Sequence, residues 1–294
     1  MKNIIIVTGG AGFVGSNLIE ELIKIPKYKI ISLDNYSSGS FKNHINSVKI
    51  KYLKGHTKNF SSIFKNYKNR IHSIFHFGEF SRIFQSFKKI KECFDSNIRG
   101  SSELFNFALE NKIKIIYSAT SASLGNSGKD MNLSSYSFTK AKNLELLESL
   151  KSWFNFKCEI IYFYNVYGER QISKGDMATV VGIFEENFKN KKPLPVVRPG
   201  SQTRRFTYIK DTIGACLVAW KNNKNKHYSI ASNKSYSIIQ LANLFRAKIK
   251  YLPERKGERF SSALTRVSLD NKIVKLKANT KLKDYVRDFV TKNL

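Results

Sequence analysis

The chain predicts a doubly wound parallel α/β sheet with a smaller C-terminal lobe, and three observations carry that expectation. A run of apolar residues from Ile4 to Val7 leads directly into a glycine turn and an amphipathic helix. Gly9, Gly12 and Gly15 stand at G-x-x-G-x-x-G spacing, and Asp34 closes a second apolar run nineteen residues beyond Gly15. Strand and helix patterns then alternate through the first half, as a parallel sheet with covering helices requires. The first two observations also imply a ligand. A tight turn lets backbone approach a pyrophosphate, a helix N-terminus faces its charge, and the carboxylate takes a ribose hydroxyl pair. A glycine loop that served only close packing of helix on strand would not need Asp34. The same acid favours NAD, because it would repel the extra phosphate of NADP.

The elements follow in order. Residues 13–24 form the first helix, and strand-like runs occupy 29–33, 50–53, 71–77, 113–118 and 158–164. Long helical stretches cover 91–110 and 136–154, with apolar residues on more than one face: Phe94, Ile98, Leu104 and Phe107 in one, Phe138, Leu144, Leu147, Leu150 and Trp153 in the other. One such face covers the sheet and the other is free for a second subunit, so a homodimer is expected. Beyond Tyr164 the pattern loosens, with Pro193, Pro195 and Pro199 around a short extended piece and helices at 211–220 and 236–247. We therefore divide the chain into a nucleotide-binding domain, 1–165, and a substrate lobe, 166–294, with some segments of the latter returning to the former.

Composition narrows the class. At 294 residues the chain can bury a sizeable core. No apolar run approaches the roughly 20 residues of a membrane span, so no membrane association is expected. Cys93, Cys158 and Cys216 are scattered without metal-type spacing, which fits thiols in a reducing cytoplasm and no metal site. A formal charge of +29 raises the question of nucleic acid. The excess is lysine strewn among Asn and Ile, whose codons are A/T-rich, with no basic block and no arginine–aromatic cluster, so nucleic acid is not the expected partner.

A second constellation follows the fifth predicted strand. That strand ends in Ser118-Ala-Thr120-Ser-Ala-Ser123, and Tyr136 and Lys140 stand four apart on one helix face. An ammonium beside a phenol stabilises the phenolate, which can then take and return the proton of a sugar hydroxyl. Y-x-x-x-K is common by chance; its position after a dinucleotide fingerprint gives it weight.

With these residues in view, the chain resembles extended short-chain dehydrogenase/reductases of the NAD-dependent epimerase/dehydratase family, and is most similar to the UDP-glucose 4-epimerases. The likeness runs nearly end to end: Asp34-Asn-Tyr-Ser-Ser-Gly39, His76-Phe-Gly-Glu79, Asn97-Ile-Arg-Gly100, Tyr162 to Arg170, Arg204 to Asp211 and Arg255-Lys-Gly-Glu258. The resemblance implies a Rossmann domain that keeps NAD tightly bound. It implies cofactor contacts at Gly9, Gly12, Phe13, Val14, Gly15, Asp34, Asn35, Phe77, Gly78, Asn97 and Lys140. It also implies catalytic roles for Thr120, Tyr136 and Lys140, and substrate contacts at Asn165, Arg204 and Arg255. The two arginines would hold the diphosphate. Ser262 falls where a large tyrosine restricts related epimerases to plain hexoses, so the expected substrates are UDP-Glc/UDP-Gal or UDP-GlcNAc/UDP-GalNAc.

Ser121-Ala122 after Thr120 lack the Asp-Glu pair that dehydratases of the family carry there. Departures from the family pattern are His56, Glu79 in place of a small residue near the cofactor, and Arg205 in place of an acid. Reversible C4 epimerisation through a 4-keto sugar is the expected reaction. An oxidoreductase or dehydratase on the same scaffold, and a non-catalytic RNA-binding relative, are the alternatives.

Overall fold

A computed structural model describes residues 2–121, 132–254 and 273–294. The first half alternates as the pattern predicts: β1 (Ile4–Thr8), α1 (Phe13–Leu22), β2 (Lys29–Asp34), β3 (Ile50–Lys54), α2 (Phe60–Phe64), β4 (Ile71–His76), α3 (Ile83–Lys88), α4 (Ile90–Phe94), α5 (Gly100–Glu110), β5 (Lys114–Thr120), α6 (Ser135–Phe154) and β6 (Cys158–Phe163). The second half holds β7 (Val166–Tyr167), α7 (Val180–Lys189), β8 (Leu194–Val197), β9 (Thr203–Arg205), β10 (Thr207–Tyr208), α8 (Ile209–Asn222), β11 (His227–Ala231), β12 (Ser235–Ser237), α9 (Ile238–Leu244), β13 (Ile249–Leu252), β14 (Ile273–Lys277) and α10 (Leu282–Lys292).

Eight strands form one parallel sheet in the order β14-β11-β6-β5-β4-β1-β2-β3. Apolar cores cover both faces, which is why β1, β5 and β6 are buried along nearly their whole length rather than at alternate residues. Strand order reverses between β1 and β4, and a crevice opens there at the carboxyl ends of the strands. Two strands of the second half, β11 and β14, extend the sheet beyond β6. A separate core built on Phe184, Val196, Phe206, Leu241, Phe245 and Val286 holds α7, β8, α9 and α10 together, while α8 packs on the sheet.

The helix expected over 91–110 is not continuous. Between α4 and α5 the backbone makes one π turn, Asp95–Arg99, and α4 begins at Ile90. Such a turn re-aims side chains within a helix, and here it carries Asn97.

Candidate functional site

The crevice is a cleft of about 660 Å³ reaching from the glycine turn, past the ends of β4 and β5, to the start of β7 and to Arg204. Its first end is built by the turn after β1. Gly9 has φ +68°, a left-handed conformation that favours glycine. A Cβ on Gly15 would stand 2.2 Å from the Gly9 carbonyl oxygen, so helix and turn approach as closely as they do only with glycine there. Gly9, Gly12, Phe13, Val14, Gly15, Asp34 and Asn35 all line the cleft. The buried Asp34 carboxylate accepts from the Ala11 N–H (3.0 Å) and the Tyr36 N–H (2.8 Å). Burial raises its pKa, and hydrogen bonds from Tyr36, Ala11 and Gly12 oppose that rise. A glycine cradle beside a carboxylate fits the pyrophosphate and ribose of a dinucleotide.

The other end gathers Thr120 from the tip of β5 with Tyr136 and Lys140 from α6, and all three line the cleft. Ser134 starts α6 by accepting the Ser137 N–H at 3.1 Å, which places Tyr136 in the first turn and Lys140 one turn later. The Tyr136 N–H also reaches the Ser86 hydroxyl of α3 (3.3 Å), while the Ser135 hydroxyl donates to the Ser86 carbonyl (2.8 Å). Helix α3 is thereby fastened to the start of α6.

Lys140 is not simply a cation held at a phenol. Its ammonium donates to the Glu79 carboxylate and to the Ser118 carbonyl, and both members of this ion pair are almost completely buried. Glu79 also accepts from the Ser101 hydroxyl (2.8 Å), the Tyr117 hydroxyl (3.1 Å) and the Asn143 amide (2.8 Å). The acid that departs from the family pattern is therefore the hub of a buried network.

His76 continues that network. The Thr8 oxygen accepts from the N–H groups of Phe77 (3.1 Å) and Gly78 (2.9 Å), which leaves its proton for His76 Nδ1 at 2.8 Å. The neutral ring then carries its hydrogen on Nε2 and donates to Ser101 Oγ at 2.9 Å, whose own proton goes to Glu79. Burial pulls the His76 pKa down to about 4, consistent with the neutral ring.

Other expected residues divide. Phe77, Gly78, Asn165 and Arg204 line the cleft. Asn165 donates to the Arg205 carbonyl at 3.1 Å. Asn97, expected at the cofactor, is not among the cleft-lining residues. It is fully buried within the π turn, accepts the Phe80 N–H at 2.6 Å and donates to Thr139 at 3.0 Å. Arg255 and Ser262 lie outside the described residues. His56 borders the cleft, accepting the Lys58 N–H at 3.1 Å. Arg82 has no signal in the sequence. It borders the cleft as an isolated arginine at the start of α3, and only packing brings it near Tyr136.

The model of the NAD dependent epimerase/dehydratase family matches residues 5–231. The chain belongs to that family. NAD is accordingly its cofactor, and the glycine turn with Asp34 is the part of the cleft that fits it. A Methanocaldococcus jannaschii protein provisionally named UDP-glucose 4-epimerase is 28% identical over 271 residues, covering 86% of this chain and 87% of its own. The UDP-N-acetyl-alpha-D-glucosaminuronate decarboxylase of Bacillus cytotoxicus is 28% identical over 270 residues, covering 82% and 79%. Among solved structures, the UDP-N-acetylglucosamine 4-epimerase of Methanobrevibacter ruminantium, in complex with UDP-N-acetylmuramic acid, is similar with TM-score 0.84 and 26% identity over 99% of this chain and 98% of that one. Among the described residues, no helix is long and apolar enough to cross a membrane and no metal-ligand cluster is present.

Proposed function

We propose that the protein is an NAD-dependent 4-epimerase of UDP-hexoses. The observation that carries this reading is the meeting of Thr120, Tyr136 and Lys140 in the same cleft as the glycine turn and Asp34. In this reading Tyr136 takes the proton of the sugar 4-hydroxyl and later returns it, and Thr120 donates to the oxygen that becomes the ketone. Lys140 spends two N–H groups on Glu79 and Ser118, leaving a third for the nicotinamide ribose. The glycine turn and Asp34 would hold NAD, which when bound would supply reversible hydride acceptance. Arg204, on the far wall, holds the diphosphate while the sugar turns.

Epimerisation is favoured over water loss because dehydration needs a carboxyl group free to exchange protons at the sugar. The nearest carboxylate to Lys140, Glu79, accepts from four donors and is occupied by them. The proposal extends to a homodimer through α4 and α6, where Phe94 and Phe138 stack at 6.5 Å while each remains 37% exposed. Incubation with UDP-Glc and with UDP-GlcNAc, products resolved by NMR, tests the activity: C4 epimers without net reduction of cofactor are expected. A 4-keto sugar or stoichiometric reduced cofactor as the product would refute it.

A further inference from the structure

Lysines that look strewn along the sequence are gathered by the topology of the sheet. In a parallel sheet every strand starts at the same end, so the residues that precede the strands become neighbours. Backbone hydrogen bonds trace that end. The Ile30 N–H donates to the Lys49 carbonyl (2.8 Å), the Lys29 N–H to the Asn3 carbonyl (2.9 Å) and the Asn3 N–H to the Arg70 carbonyl (2.9 Å). Further along, the Ile115 N–H donates to the Lys157 carbonyl (3.0 Å) and the Ile160 N–H to the Lys226 carbonyl (3.0 Å). A lysine or arginine thus stands at the entry to β3, β2, β4, β6 and β11, with Lys2 just before β1 and Lys112 just before β5. At a strand spacing of about 4.8 Å, the row from β3 to β11 runs for about 29 Å.

This charge is open to solvent and little of it is cancelled. Lys2, Lys29, Arg70, Lys112, Lys157 and Lys226 are all exposed. Helices that cover the sheet end on the same side, and they add exposed Lys24 after α1 and Lys221 in the last turn of α8. Among the described residues, Lys24 is the one of these in an ion pair, with Glu21 at 2.6 Å. Glu110, which ends α5, is an exposed acid there. Apolar side chains stand in solvent at two points of the same end: Val48 before β3, fully exposed, and Trp153 (67% exposed) with Phe154 (58%) where α6 gives way to β6.

Lysine point charges beside solvent-facing aromatic side chains suit an anionic lipid surface, whereas recognition of nucleic-acid phosphates favours the arginine fork. We propose that the amino end of the sheet is a peripheral docking surface for an anionic bilayer. The lysine row lies against the headgroups, and Val48, Trp153 and Phe154 reach the acyl boundary. Such contact needs no spanning helix. The cleft opens at the opposite, carboxyl ends of the strands, so a protein held this way keeps its cleft toward solvent. At about 1.5 Å per residue, Trp153 lies about 22 Å along α6 from Phe138, which separates this surface from the Phe94–Phe138 face. The inference does not depend on the proposed activity.

The test is sedimentation of the full chain with vesicles of phosphatidylcholine and phosphatidylglycerol in equal parts, and with vesicles of phosphatidylcholine alone. Binding is expected to the anionic vesicles only, and should weaken steeply as salt rises. Trp220 is buried, so the emission of Trp153 reports the contact and should move to shorter wavelength when anionic vesicles are added. Joint replacement by Lys29→Gln, Lys157→Gln, Lys224→Gln and Lys226→Gln should weaken that binding by about a hundredfold or more. Lys42→Gln, Lys54→Gln, Lys88→Gln and Lys91→Gln together remove the same charge from segments that follow the carboxyl ends of β2, β3 and β4, and should weaken it by less than about fivefold. Trp153→Ser with Phe154→Ser should weaken it about tenfold. All these side chains are exposed, so every variant should keep the melting temperature of the unaltered chain. Absence of binding to the anionic vesicles overturns the proposal, as does equal weakening by the two sets of glutamines or equal binding to both kinds of vesicle. Salt-sensitive binding of an RNA or DNA duplex without binding to vesicles would overturn it in favour of a nucleic-acid surface. Sedimentation without vesicles, abolished by Trp153→Ser with Phe154→Ser, would overturn it in favour of contact between copies of the chain.

Discussion

Asp34 and Glu79 are two buried carboxylates at opposite ends of one cleft, and they are held by opposite means. Asp34 is supported by backbone N–H groups of Ala11 and Tyr36, both belonging to the turns beside it. Glu79 is supported by side chains from α5, β5 and α6. Backbone donors persist whatever residue carries them, so replacing Asp34 is expected to cost the fold little. Side-chain donors are aimed only when several elements are already packed, so Glu79 is bound into the stability of the site. The difference separates a carboxylate held by its own neighbouring turns from one held by elements that packing brings together.

Four measurements sharpen or break that comparison. The largest effect is expected at the Glu79 end of the cleft: Tyr136→Phe should reduce epimerisation by about 10²- to 10⁴-fold while NAD stays bound. Loss of NAD together with turnover would mean that Tyr136 serves the cofactor rather than the chemistry. Next, Glu79→Ala leaves the Lys140 ammonium buried without its partner and should cost about 3–5 kcal/mol in urea unfolding. Adding Lys140→Met should recover most of that loss, since the remaining cost is packing rather than charge. Additive losses in the double variant would show that the two residues are not coupled.

The His76 link gives a pH dependence. Its pKa falls from 6.5 in the unfolded chain to about 4 when folded, because burial disfavours the imidazolium. The unfolded chain therefore binds the proton first as pH falls. The stability is present in full above about 6.5 and is lost between there and about 4, on the order of 3 kcal/mol. Urea midpoints at pH 7.5 and pH 5 should differ, and His76→Asn should flatten the difference; an equal pH dependence in the variant would remove His76 as the cause. The smallest effect is expected at the recognition end. Asp34→Asn should weaken NAD about tenfold, about 1.4 kcal/mol, improve NADP relative to NAD, and leave the melting temperature nearly unchanged. If it destabilises the fold as much as Glu79→Ala does, the distinction between the two carboxylates fails.

The nucleotide end is legible in the sequence because its parts are local. Gly9 to Gly15 fix their own turn, and a strand of known rise carries Asp34 to the same edge of the sheet. The spacing of Tyr136 and Lys140 is legible for the same reason, being one helical turn. The environment of Lys140 is not. Glu79 is visible only as a departure from the family pattern, and no periodicity places it under an ammonium 61 residues later. Asn97 reads in the sequence as one residue of a helix, and its bonds to Phe80 and Thr139 depend on packing between elements. Arg82 gives no signal because only packing between elements brings it to the cleft.

The sequence by itself determined the parallel sheet, the glycine cradle and the one-turn spacing of phenol and ammonium, since strand pattern, backbone conformation and helical pitch act over a few residues. Only the tertiary structure decided that the Lys140 ammonium is buried against the Glu79 carboxylate. Charge in a buried site is set by distances between groups that the fold, and not the chain order, brings together.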